Sequence, residues 1–436
     1  MKLFVWIVVV LAIWLPAQAQ DAPMFRGNLQ HTGIYNAPAI STLHGIKWKF
    51  HTAGRVISSP AVVDDAVYVG STDSNLYALN LASGALRWKF ETQSWVTSSP
   101  AVASGTVFFE SYDGNLYAVE AATGQLKWKF ATAGEKRFSG KHLHHLEPAA
   151  EVMPDPWDFY LSSPGIWNGL VFFGSGDGNV YALDANSGTL KWKFQTADVV
   201  HSSPAIADAT LYIGSWDTYL YALDASTGKE RWRFKTGDDP DIHNHVGIQS
   251  SPAVRDGIVY FGCRDSYVYA VDASSGKQIW RFSTDGSWVN NSPVADIDAV
   301  YFATSIPGIL HAVNAKTGAS LFHLPTGTPV FASMALANGN LYMGNFGGKL
   351  TAIGIKAQKP IWFFETEAAR QNAPSLTNAD ASINFEKVFP SPKLFYNDMV
   401  IAVDKLFSMG SMLSSPVPVR DMVLVGSTDG NLYALW

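Results

Sequence analysis

Cysteine is almost missing from the 436-residue sequence, where Cys263 stands alone. An intrachain disulfide, a cysteine-based zinc or iron–sulfur centre and a haem attached through CxxCH are therefore excluded. Charge is scarce too, at 16% of residues against about 25% in an average chain. The net charge is −6, so there is no basic excess to hold nucleic-acid phosphates. After the first residues, no apolar run reaches the roughly 18 residues that mark a membrane-crossing helix. Aromatic residues, at 13%, and 36 glycines with 22 prolines are well represented. Such a chain can bury a large core and is rich in turns.

The amino terminus reads as an export signal. Lys2 is followed by the apolar run Leu3 to Leu15 and then by Pro16-Ala17-Gln18-Ala19, an A-x-A cleavage pattern before Gln20. The run is too short for an ordinary spanning helix and has the signal-peptide layout. Residues 1–19 are expected to be removed; an uncleaved anchor is the competing reading. No cysteine follows the apolar run, so a lipid anchor is not expected. The expectation is a monomeric periplasmic or secreted protein with no membrane anchor in the mature chain and no nucleic-acid partner.

An internal repeat carries most of the information. Ser-Ser-Pro recurs with its proline at Pro60, Pro100, Pro164, Pro204, Pro252 and Pro416, with near copies at Asn291-Ser292-Pro293 and Ala332-Ser333-Met334. A second motif, W-x-F, recurs at Trp48, Trp88, Trp128, Trp192, Trp232, Trp280 and Trp362, and Phe322 fills the eighth place. The tryptophans are read as structural residues between repeats. One full unit runs from Ser202-Ser203-Pro204 through Leu211 to Gly214, then Leu220 to Asp224, then Trp232 to Phe234. Short β-branched and aromatic runs bounded by turn residues predict four antiparallel strands. Gly228 supplies the positive φ of a tight turn, and the turn aspartates are read as structural.

Four-stranded units of about 40 residues, repeated radially, make a β-propeller. The fold class expected is all-β: eight blades, closed by pairing the two ends of the chain. Ile46 to Phe50 is a last strand with no strands before it, and Leu432 to Trp436 is a third strand with none after it. Together they complete one blade. The expected organisation is an N-terminal arm over 20–44 and a propeller over 45–436, with insertions at about 131–160, 237–248 and 365–411. All three insertions join the last strand of one blade to the first of the next. They therefore share one face, around the mouth of the channel, while the other face keeps minimal turns. Elaborated loops on a rigid scaffold mark this as the working face; neutral loop drift is the other reading.

The unit [VI]-Y-[VIF]-G-S-x-D-G-x-[LV]-Y-A-[LV], followed by D-A-x-[ST]-G-x-x-x-W, resembles the bacterial PQQ-like repeat. The arm Met24-Phe25-Arg26-Gly27-Asn28 to His31-Thr32-Gly33 resembles the segment before blade one in that family. The resemblance implies either a non-enzymatic binding scaffold, as in BamB-like outer-membrane assembly factors, or a quinoprotein alcohol or sugar dehydrogenase. The enzyme reading implies pyrroloquinoline quinone with calcium and, typically, a pair of adjacent cysteines, which this chain lacks. The scaffold reading is preferred, with a protein or small ligand at the channel mouth.

Candidate residues for that face are His142, His144 and His145 in the first insertion, His243 and His245 in the second, and His201 just before Ser202. With neighbouring carboxylates they suggest metal or partner binding; solvated loop histidines are the plainer reading. Glu110 replaces the glycine usual at the end of a second strand, as does Ala303 in another blade, Trp216 sits in a turn where it could cover a flat cofactor, and Arg264 occupies the equivalent turn of the next blade. A helix over Asp398 to Met409 is predicted, with Met399, Val403, Leu406 and Phe407 on one face and Gly410 as its stop. It is either a packing helix, or a lid or partner-binding element. Cys263 is read as a small buried residue.

Overall fold

The computed structural model describes residues 21–237, 247–389 and 394–436. The proposed signal peptide, His243 and His245 lie outside the described residues. Eight four-stranded antiparallel blades form a closed ring, and the arm strand Ile34–Tyr35 adds a fifth, parallel strand to one of them. Blade 1 comprises Ala61–Val63, Ala66–Gly70, Asn75–Asn80 and Leu86–Glu91, here strands A to D from the channel outward. Blades 2 to 7 repeat this with first strands Ala101–Ala103, Gly165–Trp167, Ala205–Ala207, Ala253–Arg255, Val294–Ala295 and Ala335–Ala337. Blade 8 takes strands A to C from Val417–Val419, Met422–Gly426 and Asn431–Leu435, and strand D from Ile46–His51. Trp48 pairs with Ala434 and Phe50 with Leu432, so the ring closes through both ends of the chain.

The repeated residues are the fastenings of this ring. Each strand D carries a register shift just before its aromatic residue, as between Ala222↔Trp232 and Leu223↔Glu230. The tryptophan then reaches the next blade: the Trp192 indole N–H donates to Ala225 O at 3.0 Å and Trp232 to Ala273 O at 3.0 Å. Its ring lies over the glycine of the next C–D turn. A Cβ on Gly228, whose φ is +71°, would stand 2.6 Å from the Trp192 ring. Where Phe322 replaces tryptophan, the corresponding turn position of blade 7 is Gln358, with φ 51° and a side chain. The smaller ring and the larger turn residue go together. At the seam, where no C–D turn exists, the arm substitutes: Trp362 donates to Ile40 O at 2.8 Å.

Ser-Ser-Pro forms a belt around the axis. The Ser59 amide donates to Ser99 Oγ, Ser99 to Ser163, Ser163 to Ser203, Ser203 to Ser251, Ser251 to Ser292 and Ser292 to Ser333, at 2.9–3.1 Å. Ser415 donates to Ser59 Oγ at 2.9 Å. The second serine is thus the invariant element of the motif within this chain, which is why it survives in the two imperfect copies. The turn aspartates are fastenings as well. Asp217 accepts the Tyr221 hydroxyl at 2.7 Å and the Ala197 amide of the preceding blade at 2.9 Å.

The arm crosses the channel toward the face of tight turns. Its carbonyls at Pro23, Leu29, Gln30, Thr32 and Gly33 accept from strand A amides of blades 2, 4, 5, 6 and 7 in turn. The buried Arg26 guanidinium donates to Pro293 O at 2.8 Å and to Met334 O. The opposite face carries the first insertion, a hairpin of Ser139–Lys141 with Val152–Pro154, and helices α1 (Glu367–Leu376), α2 (Phe385–Val388) and α3 (Tyr396–Phe407). Helix α3 buries Met399, Ala402, Val403, Leu406 and Phe407, and Gly410 beyond it has φ +67°. The two insertions bond directly: the Glu147 amide donates to Leu394 O and Tyr396 donates to Glu147 O, at 2.8 and 3.0 Å. Among the described residues, no helix is long and apolar enough to cross a membrane.

Candidate functional site

The residue before each Ser-Ser-Pro or its variant points into the channel. Ile57, Thr97, Leu161, His201, Gln249, Asn290, Phe331 and Leu413 form a layer above the serine belt, around a cavity of about 40 Å³. The first insertion descends onto this layer and stoppers it with charge. His201 is fully buried between two carboxylates, Nδ1 2.7 Å from Asp158 Oδ1 and Nε2 2.8 Å from Glu135 Oε1. Burial alone would lower its pKa; the two carboxylates more than reverse this and push it up to about 10. The imidazole is therefore a cation at neutral pH. Asp158 Oδ2 also accepts the Phe138 amide at 2.7 Å, and Glu135 accepts the Gly176 amide at 2.7 Å.

A second buried pair lies beside the first. Arg264 Nη1 stands 2.6 Å from Asp155 Oδ2, with both side chains 1% exposed. Its Nη2 donates to Gln249 Oε1 at 3.0 Å. The guanidinium rests 4.3 Å from the Trp216 ring centre and 4.4 Å from that of Trp288, and Phe138 stacks on Trp216 at 4.4 Å and 4°. Aromatic faces suit a desolvated guanidinium. Asp155 takes a further contact from His144 Nε2 at 3.1 Å. Burial opposes its charged form, and Arg264 and His144 override that, holding the carboxyl well below its usual range.

The sequence candidates thus separate. Trp216, Arg264, His144 and His201 meet in one buried assembly below the elaborated face rather than on it. His142 and His145 are exposed, with their rings edge to face at 5.4 Å. Glu110 is buried at the end of strand B of blade 2, and its Oε1 has no partner. Burial first, then the charges of Glu135 and Asp177, drive its pKa well up. Six other blades have glycine at this position, where a Cβ on Gly214 would sit 2.2 Å from Ile248, and blade 6 has Ala303. Cys263 is buried, its Sγ 3.5 Å from Gly247 O, and burial raises its thiol pKa. Sequence reasoning did not single out Glu135, Phe138, Asp155, Asp158, Gln249 and Trp288. Two signals were available: the pair of aspartates in Asp155-Pro156-Trp157-Asp158, and the place of Gln249 just before Ser250-Ser251-Pro252.

These residues do not fit pyrroloquinoline quinone and calcium. Trp216, the ring proposed to cover a flat cofactor, is 2% exposed and is covered by the chain's own Phe138 and Arg264. Among the described residues, no group of three or more His, Cys, Asp or Glu side chains is placed to hold a metal ion.

A closed eight-bladed propeller built of PQQ-like repeats, with one mouth crossed by the arm and the other stoppered by an insertion, is the class these observations define. The family profile described as outer membrane protein assembly factor BamB matches residues 42–153, 157–297 and 217–391. The chain belongs to this family. Among solved structures it is similar to BamB from Moraxella catarrhalis, with 16% identity and a TM-score of 0.65 over 90% of this chain and 99% of that one. A europium-containing methanol dehydrogenase matches at 15% identity and TM-score 0.70, over 96% of this chain and 98% of that one. The quinohemoprotein alcohol dehydrogenase of Comamonas testosteroni matches at 14% and 0.69, over 96% and 81%. Such likenesses establish the fold alone. A search of curated proteins returned no match.

Proposed function

We propose that this chain is an exported, non-enzymatic scaffold that binds a protein partner on its elaborated face, in the outer-membrane assembly role for which its family is named. One observation carries the reading. Most large apolar side chains exposed on the described surface fall into two groups. One lies along the outer D strands, as with Leu86, Leu126 and Leu190. The other lies on the elaborated face: Trp95, Val152, Ile306, Phe385, Phe395, Val400 and Ile401. The face of tight turns has Ile297 and, just past the last strand, Trp436. Exposed apolar side chains gathered on one face mark an interaction surface. The buried ion pairs beneath hold the loops of that face in place, which lowers the ordering cost of docking. The leader over 1–19 supports export.

The test is retention of partner proteins by the full-length protein from its own host. Phe395→Asp with Ile401→Asp should abolish retention of proteins bound by wild type, while Ile297→Asp leaves it unchanged. Equal retention by both variants would refute the assigned face. Dye-linked alcohol oxidation on adding the quinone and calcium would overturn the non-enzymatic reading.

A further inference from the structure

The two described insertions do not pack flush. Between them and the loops of blades 5 to 7 lies an apolar cavity of about 250 Å³. Trp157 walls it from the first insertion, Trp288 and Phe346 from the blades, and Met399 and Leu406 from α3, while Phe385 of α2 stands at the rim, half exposed. No Asp, Glu, Lys or Arg lines it. Two of its polar side chains are engaged: His144 Nε2 contacts Asp155 at 3.1 Å, and Ser305 Oγ accepts the Trp288 amide at 3.1 Å.

We propose that this cavity is a binding site for a small, uncharged, fused-ring aromatic molecule. Four arguments converge. Water needs two to four polar partners in such a space, so a cavity with this lining favours an apolar occupant. A dry cavity of about 150 Å³ accepts benzene. In proportion, 250 Å³ accommodates about ten heavy atoms, or two fused rings. The walls also suit aromatic edges and faces, since Trp157 already meets Phe346 edge to face at 6.1 Å and 64°. The absence of a charged wall selects a neutral ligand, because a buried charge there would have no partner.

The site is built before any ligand arrives. Trp288 is held by the Arg264 guanidinium at 4.4 Å, and the Trp157 amide donates to Asp155 Oδ1 at 2.8 Å. The stopper that closes the channel therefore also sets two walls of the cavity. Ile306 and Phe385 line this cavity and also belong to the elaborated face; the titration below uses no partner protein, so the two readings fail separately.

The experiment is calorimetric titration of the full mature chain with indole, and with indole-3-acetate as its charged counterpart. Indole should bind with a negative heat-capacity change, and the anion at least about tenfold more weakly. Met399→Trp, which fills the cavity, and Phe385→Asp, which puts a charge at its half-exposed rim, should each weaken indole by at least about tenfold. Should Met399→Trp fail to fold, Phe385→Asp decides alone. No heat from indole up to about 1 mM would overturn the proposal. So would indole binding unchanged in Phe385→Asp, or equal affinity for the neutral and charged probes.

Discussion

Replacing His201 with glutamine should destabilise the protein by about 4 kcal/mol at pH 7 and by almost nothing at pH 10. The imidazole lies 2.7 Å from Asp158 and 2.8 Å from Glu135, with no solvent access. Its folded pKa of about 10 lies above the ordinary 6.5. A raised pKa means that the folded state holds the proton more tightly than the unfolded chain. That contribution is present in full below 6.5 and disappears as the pH rises through about 10. At pH 7 the difference spans roughly three units, each worth about 1.4 kcal/mol. The product agrees with the ~3–5 kcal/mol usually lost when one partner of a buried ion pair is removed. Unfolding entropy near 2.1 cal/mol/K per residue, over a chain of this length, converts the loss into a Tm decrease of about 4 °C. Calorimetric scans of both proteins in steps from pH 6 to 10 would measure it. Glutamine keeps polar contacts while removing the titrating charge, and titrations of groups away from Asp158 and Glu135 cancel in the difference. A Tm gap that stays constant across the range would refute the buried cation.

Three further outcomes are expected. Ser203→Ala leaves the Ser163 amide without its 2.9 Å acceptor, costing about 1–3 kcal/mol in a denaturant titration; an unchanged midpoint would contradict the belt. Gly228→Ala should be destabilising through both its positive φ and its contact with Trp192, and Trp192→Phe should relieve the contact part, a coupling of about 1 kcal/mol. Strict additivity in that double-mutant cycle would separate the two positions. Cell fractionation with N-terminal sequencing should find the mature chain starting at Gln20 in the soluble periplasm or medium; recovery only from washed membranes would favour an uncleaved anchor.

The ring was legible because every blade solves the same problem with the same residues. A tryptophan that must reach the next blade and a serine that must bond its neighbour's serine leave a period in the sequence. The seam could be read from the unmatched strands at Trp48 and Tyr433. The stopper left no such trace. Asp155 meets Arg264 from 109 positions away, and Glu135 meets His201 from 66. Nothing local in either segment names its partner. Histidines adjacent in sequence suggested a shared surface, yet His201 occupies the channel-facing position before Ser-Ser-Pro. That position was readable from the repeat, since the corresponding residue of every blade lines the channel. Helix α3 was legible from its apolar spacing, whereas the arm's passage across the axis was not, because its bonds use backbone carbonyls.

The assignment of the elaborated face as the docking face is the account's central claim. Site-specific photocrosslinking in the native host tests it directly, with a crosslinker at Ile401 on that face and at Ile297 on the opposite one. The account predicts discrete crosslinked partner bands from position 401, lost on Phe395→Asp, and none from position 297. Crosslinks from position 297 with none from position 401 would contradict it.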